Sequence, residues 1–466
     1  MIALLPYLLA VALAVHTGTA AAAVSPQQAA RLGGPELTPV GAQRAGNEAG
    51  TIPAWTGGID TVATGAADTQ SAPPYSDDTP LFTINAENVD EYAEQLSEGQ
   101  KALLQLYPDS WYLNVYKTRR SASYPQYVYD AIKSNASRAQ LVSDGLGGVR
   151  DADISSPFPI PQQGVEVLWN HILRWRGIHS DRINGQAAVT RGRASYRVVI
   201  FQEQLASPYG QRITSELERQ HPNIAMAFKQ RVLAPGFESG LGQLILFPTD
   251  YTRDQRQGWL YNPNLRRVMR NPTGGFDNPA PNSDGLLLQD ETDMFNGSPA
   301  LFEWKLLGKR ELYIPYNSYP LHSSDLAYSD ILKIGHINPQ LARYELHRVW
   351  VVEGTVRTTS RDRTTLDPQK RGHVYSRRVF YLDEDSWQLA VADNYDSDGK
   401  LWRVSEGHMI NYYQVPVPWY TLEVYHDLQQ QRYVANGLDN RFRPIKFSND
   451  INPNKFSPLA LDYFVR

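Results

Sequence analysis

From about residue 186 onward, short runs rich in Val, Ile, Tyr, Phe and Trp alternate with turn residues. Runs such as YRVVIFQEQL, GQLILFP, FEWKLLGKRELYIPY, YELHRVWVVEGTV, RRVFYLD, WQLAVADNY and YTLEVYHDL recur about every 8–12 residues, which predicts an antiparallel sheet or barrel. No βαβ rhythm is visible. Upstream the apolar period is helical. In 85–107, Val89, Tyr92, Leu96, Leu103, Leu104 and Tyr107 recur at helical spacing, Asn85 can cap the start, and Pro108 follows the end, so one helix is predicted. Two more are predicted at 125–138, beginning at Pro125, and at 164–175, where Val165, Leu168, Trp169 and Ile172 share a side. His171 lacks a second His one turn on and reads as a packing or capping residue rather than a ligand.

Two stretches show neither period. The Gly/Pro/Ala-rich segment from Leu32 to Ala72 is either a flexible lead or an arm laid on the surface, and Trp55 and Ile59 favour the arm. The segment from Asn271 to Asp293 is a long Pro/Gly/Asn loop, a length expected of a functional lid or a disordered segment.

The acids in LDEDSW and DNYDSDG invite a calcium reading. If Gly399 is position 6 of an EF-hand loop, position 1 is Asn394 and position 12 is Ser405, with Glu406 one residue late. The flanks alternate as strands. Turn chemistry accounts for the acids and for Gly399, so 377–406 is read as a three-strand meander. In strand alternation Phe380 and Leu382 share a face, as do Trp387, Leu389 and Val391, Trp402 and Val404, Trp350 and Val352, and Tyr420, Leu422 and Val424. This aromatic-heavy face is either ordinary core under helices or, in part, the wall of an apolar cavity. On the second reading the wall candidates are Trp350, Phe380, Trp387, Leu389, Trp402 and Tyr420.

Composition narrows the compartment. The chain opens with an apolar run, Leu4 to Val15, and Ala21-Ala22-Ala23 offers a cleavage site before Val24, which reads as a secretory signal peptide, although the run is preceded by no Lys or Arg. The competing reading is a short membrane anchor. The 466 residues contain no cysteine, which excludes disulfides, thiolate metal sites and a Cys nucleophile. Export without disulfides suggests a soluble, unlipidated periplasmic protein. A net charge of −4 gives no reason to expect nucleic acid as a partner.

Catalytic signatures are absent: no G-x-S-x-G, H-E-x-x-H, P-loop or GxGxxG occurs. No pair of His has helical metal spacing. A strand-borne set, His347, His373, His408 and His426, would need convergence in space to bind a metal. No cofactor or metal is expected.

Several long segments together resemble a known family. They are LTPVGAQRAGNEAGTIPAWTGG, YPQYVYDAIKSNASRA, GWLYNPNLRRVMR, DETDMFNGSPALFEWKLLGKRELYIPYN, and the stretch 377–406 followed by YYQVPVPWYTLEVYHDLQ. They resemble the domain-of-unknown-function family 1329 (DUF1329) of Gram-negative bacteria over nearly all of the mature chain. That family is in turn similar to outer-membrane lipoprotein-sorting proteins of the Lol type, through a strand pair at Trp259 to Arg270 and the meander at Tyr381 to Leu401. The resemblance implies an incomplete antiparallel barrel closed by helices over a cavity for acyl chains. It also implies two companions, an outer-membrane β-barrel protein and an inner-membrane exporter of the resistance-nodulation-division type. This chain is about twice the length of the small Lol carriers, so arm, helices and long loop have no counterpart there.

The expectation is therefore an α+β fold: a large curved antiparallel sheet, an incomplete half-barrel covered by a few helices. Residues 1–23 form the signal peptide, 24–84 the extended arm, and 85–466 a single domain. The expected function is non-enzymatic binding and carriage of a lipid or other hydrophobic molecule, linked to transport to or from the outer membrane. A periplasmic hydrolase, or an assembly factor for an outer-membrane β-barrel without a small ligand, are the alternatives.

Overall fold

The computed structural model describes residues 24–59, 73–192, 195–212, 216–236, 238–271, 276–357 and 372–466; the expected signal peptide lies outside them. The chain enters the sheet through β1 (Phe82–Ile84) and β2 (Leu113–Tyr116), forms a separate ribbon from β3 (Gln140–Val142) and β4 (Gly148–Arg150), and then lays down two meanders. The first is β5 (His179–Val189), β6 (Tyr196–Ala206), β7 (Ile224–Ala234), β8 (Gly242–Pro248), β9 (Gln257–Asn262) and β10 (Arg267–Arg270). The second is β11 (Phe302–Pro315), β12 (Tyr344–Val356), β13 (Arg377–Asp383), β14 (Leu389–Tyr395), β15 (Leu401–Tyr412), β16 (Val417–Asp427) and β17 (Arg432–Leu438), followed by the short β18 (Lys446–Ser448).

β17 pairs antiparallel with β5, Val434 opposite Ala188, and so joins the meanders into one 16-stranded sheet. The order runs β1-β2-β12-β13-β14-β15-β16-β17-β5-β6-β7-β8-β9-β10, with β11 beside β12 and β18 beside β5. The order does not close on itself, in keeping with the expected half-barrel. Register shifts at Tyr381/Leu382, His408/Met409 and Ile200/Phe201 mark bulges, which bend a sheet locally. One pair departs from the expected antiparallel pattern: β2 runs parallel to β12, Val115 opposite Tyr344. More than 200 residues of chain separate these two strands, ample for the crossover that a parallel pair requires.

The predicted 85–107 helix is two elements. Val89–Gln95 is a 3₁₀ helix, Leu96 is extended at φ −122° and ψ 150°, and an α-helix restarts at Glu98–Leu106. Ser97 causes the break. Its Oγ accepts from Gln100 N–H at 3.1 Å while the Gln100 amide oxygen accepts from Ser97 N–H at 3.1 Å, a capping box inside the periodic stretch. The other two helices stand at Gln126–Arg138 and Gly164–Ile172, the latter ending three residues before the expected limit.

Helix Glu98–Leu106 covers one face of the sheet, where Leu103 and Leu104 pack with Val404, Leu422, Val424 and Tyr433. On the opposite face helix Gly164–Ile172 is buried at every position and packs on Val352, Phe380, Leu382 and Val434. Gly164 permits this approach, because a Cβ there would lie 2.9 Å from the Lys305 carbonyl carbon. His171 pins the helix: its Nδ1 accepts from Leu389 N–H at 3.1 Å, and its Nε2 lies 3.1 Å from the Asp293 carbonyl oxygen. Burial keeps this imidazole neutral, with its pKa well below the usual histidine value.

The Gly/Pro/Ala-rich segment is packed against the rest of the chain in its described part. Val40 and Ala42 enter the main core, Ile52 a second one, and Ile59 N–H bonds Ser121 O at 3.0 Å. The 377–406 stretch is the meander the turn chemistry indicated. Asp396 Oδ1 accepts from Asp398 N–H at 2.9 Å and Lys400 N–H at 3.0 Å, and Gly399 has φ +76°.

Candidate ligand-binding cavity

Over β5–β8 the sheet face opposite the C-terminal helix Pro458–Val465 is open and forms the floor of a cavity. Its rungs are set by register. Arg182 of β5 stands opposite Glu203 of β6, Glu203 opposite Gln230 of β7, and Gln230 opposite Gln243 of β8. Side-chain bonds follow this line: Arg182 Nε donates to Glu203 Oε2 at 2.6 Å, Gln230 Nε2 to Glu203 Oε1 at 2.7 Å, and Gln243 Nε2 to Gln230 Oε1 at 2.9 Å. Two residues along, Leu205, Phe228 and Ile245 form an apolar rung, and Met226 stands opposite Phe247 beyond it. The floor is thus amphipathic across its strands.

The walls come from elsewhere in the chain. One is the segment after helix Gly164–Ile172, which supplies Arg174 and Arg176; another is Trp419, Tyr420 and Glu423 of β16 with Asn436 of β17. The third is the long loop, which from 276 to 293 and on to Asn296 is a packed strap. Leu286, Leu287 and Phe295 are buried in the main core, Asp290 pairs with the buried Arg378 at 2.6 Å, and Tyr425 Oη donates to Glu291 O at 2.6 Å. Ala280, Pro281, Leu287 and Asp293 of the strap face the cavity. The enclosed space, open mouth included, is ≈ 1290 Å³. Leu205, Phe228, Ile245, Phe247 and Trp419 remain half-buried in it.

Charge in the walls is paired but not balanced. Arg174 and Arg176 share the single carboxylate of Asp293, Arg176 Nη2 at 2.6 Å from Oδ2. Burial opposes ionisation of Asp293, yet the two guanidinium groups outweigh it and hold its pKa below the carboxylate range. Burial and the adjacent Arg174 bring Arg176 down to about 10. Glu423 accepts from Asn436 Nδ2 at 2.8 Å and Tyr425 Oη at 3.0 Å; burial and then the Asp293 charge push its carboxyl up to about 7.

Of the six wall candidates read from sequence, Tyr420 lines this cavity, with its ring under Arg174 at 5.2 Å and its hydroxyl donating to Leu389 O at 2.9 Å. The other five do not line it. Phe380, Trp387 and Leu389 are fully buried in the core beneath helix Gly164–Ile172. Trp350 stacks on Trp387 at 6.2 Å, and Trp402 donates to Asp427 at 2.9 Å. The reason is occupancy. Helix and strap fill the space over β12–β14, so the aromatic face there is consumed as core. Sequence reading missed Arg174, Arg176, Arg182 and Phe228. The available signal was the period-2 mixture of large apolar and polar residues on one face, Phe201-Glu203-Leu205 and Phe228-Gln230, which a solid core would not tolerate.

The histidine set does not converge. Among the described residues, the group of metal-ligating type whose atoms lie within 4.8 Å of one another is His347, Asp383 and Asp385, all buried. It is an ion-pair network: Arg120 donates to both Asp385 oxygens at 2.7 Å, His347 Nε2 lies 3.2 Å from Glu345, and Lys309 bonds the adjoining Glu384 at 2.5 Å. Cations already supply the counter-charge that a metal would bring.

No helix among the described residues is long and apolar enough to cross a membrane. The fold overlaps in part with solved structures. A candidate outer membrane lipoprotein-sorting protein domain from Vibrio parahaemolyticus is 13% identical and covers 61% of this chain and 92% of its own, with a TM-score of 0.39. A DUF1329 family protein from Desulfovibrio piger is 12% identical over 61% of this chain and 92% of its own, with a TM-score of 0.40. A LolA superfamily protein from Nitrosomonas europaea is 13% identical over 63% of this chain and 97% of its own, with a TM-score of 0.35. In sequence, an uncharacterized protein of Pseudomonas aeruginosa is 44% identical over 459 residues, 96% of this chain and 97% of the relative. The family described as protein of unknown function, DUF1329, matches residues 83–462, and with the packed arm, the open sheet and that relative in place, the chain belongs to the DUF1329 family.

Proposed function

We propose that the protein is a periplasmic binding and carrier protein for a lipid-like molecule, moving it to or from the outer membrane. The observation that carries this reading is the half-buried apolar rung Leu205–Phe228–Ile245, with Phe247 and Trp419 beside it, inside a cavity rather than on an outer surface. Exposed apolar area costs about 25 cal/mol per Å², so a floor of this kind is stabilised by an apolar guest. Carriage needs a difference in affinity between donor and acceptor, not a reacting group. An outer-membrane β-barrel and an inner-membrane exporter would be the donor and acceptor in this scheme.

Native mass spectrometry of protein purified from its own periplasm, with lipid extraction alongside, tests the proposal. The expected result is a co-purified lipid, lost in Phe228→Asp at unchanged thermal stability. A wild-type protein free of lipid that also fails to take up any lipid in vitro would overturn it.

The hydrolase reading retains one favouring observation, Glu423, a buried carboxyl in the cavity poised near neutral pH. Against it, the neighbouring Asp293 is ionised but has one oxygen bonded to Arg174 and the other to Arg176, which makes it a poor nucleophile or base. Ester or glycoside turnover by the wild type that disappears in Glu423→Gln would favour it over carriage.

A further inference from the structure

One guanidinium in the cavity wall, that of Arg182, has donors left over. Arg182 spends its Nε on Glu203, and neither of its Nη atoms bonds a described residue. Its side chain is only 16% exposed, and its guanidinium lies 5.4 Å from the Trp419 ring, so it is held in one place at the cavity wall. Across the cavity Arg174 and Arg176 share one carboxylate, Asp293. The lining acids are Glu203, Asp293 and Glu423. Arg174, Arg176 and Arg182 balance these three carboxylates, and one positive charge is left whenever Glu423 is protonated.

From these contacts we propose that the guest is an amphiphile with an anionic head, a carboxylate or phosphate bound bidentately by the two Nη groups of Arg182, with its chain lying on the Leu205–Phe228–Ile245 rung. This rests on the carrier reading and names the class of its cargo. The geometry supplies both halves side by side. Arg182 and Glu203 form the polar rung, and the apolar rung begins two residues away at Leu205. A guanidinium with two free nitrogens matches the planar oxygen pair of a carboxylate or phosphate.

The test is calorimetric titration of the lipid-stripped full chain with palmitate, with 1-monopalmitoylglycerol as a neutral head on the same chain, and with inorganic phosphate. The expected order is palmitate at least tenfold tighter than the monoglyceride, with phosphate alone binding weakly. Arg182→Gln should weaken palmitate by tenfold or more and leave the monoglyceride unchanged, and Arg182→Lys should fall between, since it keeps charge but loses the fork. An unchanged monoglyceride affinity also reports that the variant is folded. Equal affinity for the two lipids, or equal loss of both in Arg182→Gln and Arg182→Lys, would overturn the head-group assignment while leaving the carrier reading intact. Palmitate binding fully displaced by phosphate would place the affinity in charge alone and overturn the amphiphile. Failure of all lipids to bind would remove the carrier reading, and with it this inference.

Discussion

At the scale of single residues, the clearest contrast is between two aromatic side chains in similar strand-rich sequence. Trp387 is fully buried, donates through Nε1 to Val40 O at 3.1 Å and stacks on Trp350. Phe228 is half-buried on the cavity floor. Trp387→Ala should therefore cost about 3–5 kcal/mol in chemical denaturation, whereas Phe228→Ala should cost under about 1.5 kcal/mol and act on lipid uptake instead. Glu406 gives a second prediction. It is fully buried, accepts from Tyr344 Oη at 2.8 Å and Gln100 Nε2 at 3.1 Å, and burial pushes its pKa up to about 7. Its unfolded value is about 4.5, so between these pH values the folded state holds a proton that the unfolded state releases, and stability falls as pH rises through that window. The loss is on the order of 3 kcal/mol once pH exceeds 7. Glu406→Gln should flatten this part of the stability-versus-pH curve and raise Tm at pH 8 relative to wild type. A parallel pair of curves would mean that the proton is not held there.

At the scale of elements, docking points are specific contacts on top of apolar area. The N-terminus of helix Glu98–Leu106 is fixed by Asp393, whose Oδ1 accepts from Ser97 Oγ at 3.0 Å and Gly99 N–H at 3.1 Å. A Cβ at Gly99 would stand 2.3 Å from that oxygen and 2.5 Å from Val404 Cγ2. Gly99→Ala should thus lower stability by about 1–3 kcal/mol although alanine is the better helix former, and urea denaturation reads the sign directly. Elements also show where local reading reaches its limit. The turn at Asp396–Gly399 was legible because its bonds span four residues. The helix break at Ser97 was present as Ser-x-x-Gln inside an apolar period, and the period alone hid it. The strap was legible only as a long loop, since its anchors, Arg378 to Asp290 and Tyr425 to Glu291, join residues nearly 90 or more positions apart.

At the scale of the whole molecule, the seam between β17 and β5 makes one sheet of two meanders, and both faces of the second are covered by segments that precede it in the chain. We expect residues 85–466 to unfold as a unit. Thermal transitions followed by tryptophan fluorescence, which samples mainly the second meander and the Gly164–Ile172 helix, and by far-ultraviolet circular dichroism should coincide; two separated midpoints would mean that the meanders are independent domains. The sequence by itself determined the strand-rich architecture, two of the three predicted helices, the turns of 377–406 and the family, because each is written in local periodicity, turn chemistry or long contiguous likeness. Only the tertiary structure decided which apolar face is core and which is cavity. Alternation assigns a side chain to a face, but what covers that face comes from remote chain. Helix Gly164–Ile172 and the strap fill the space over Phe380 and Leu389 and stop short of Phe228 and Ile245, and that boundary, set by packing across the sheet, places the candidate site.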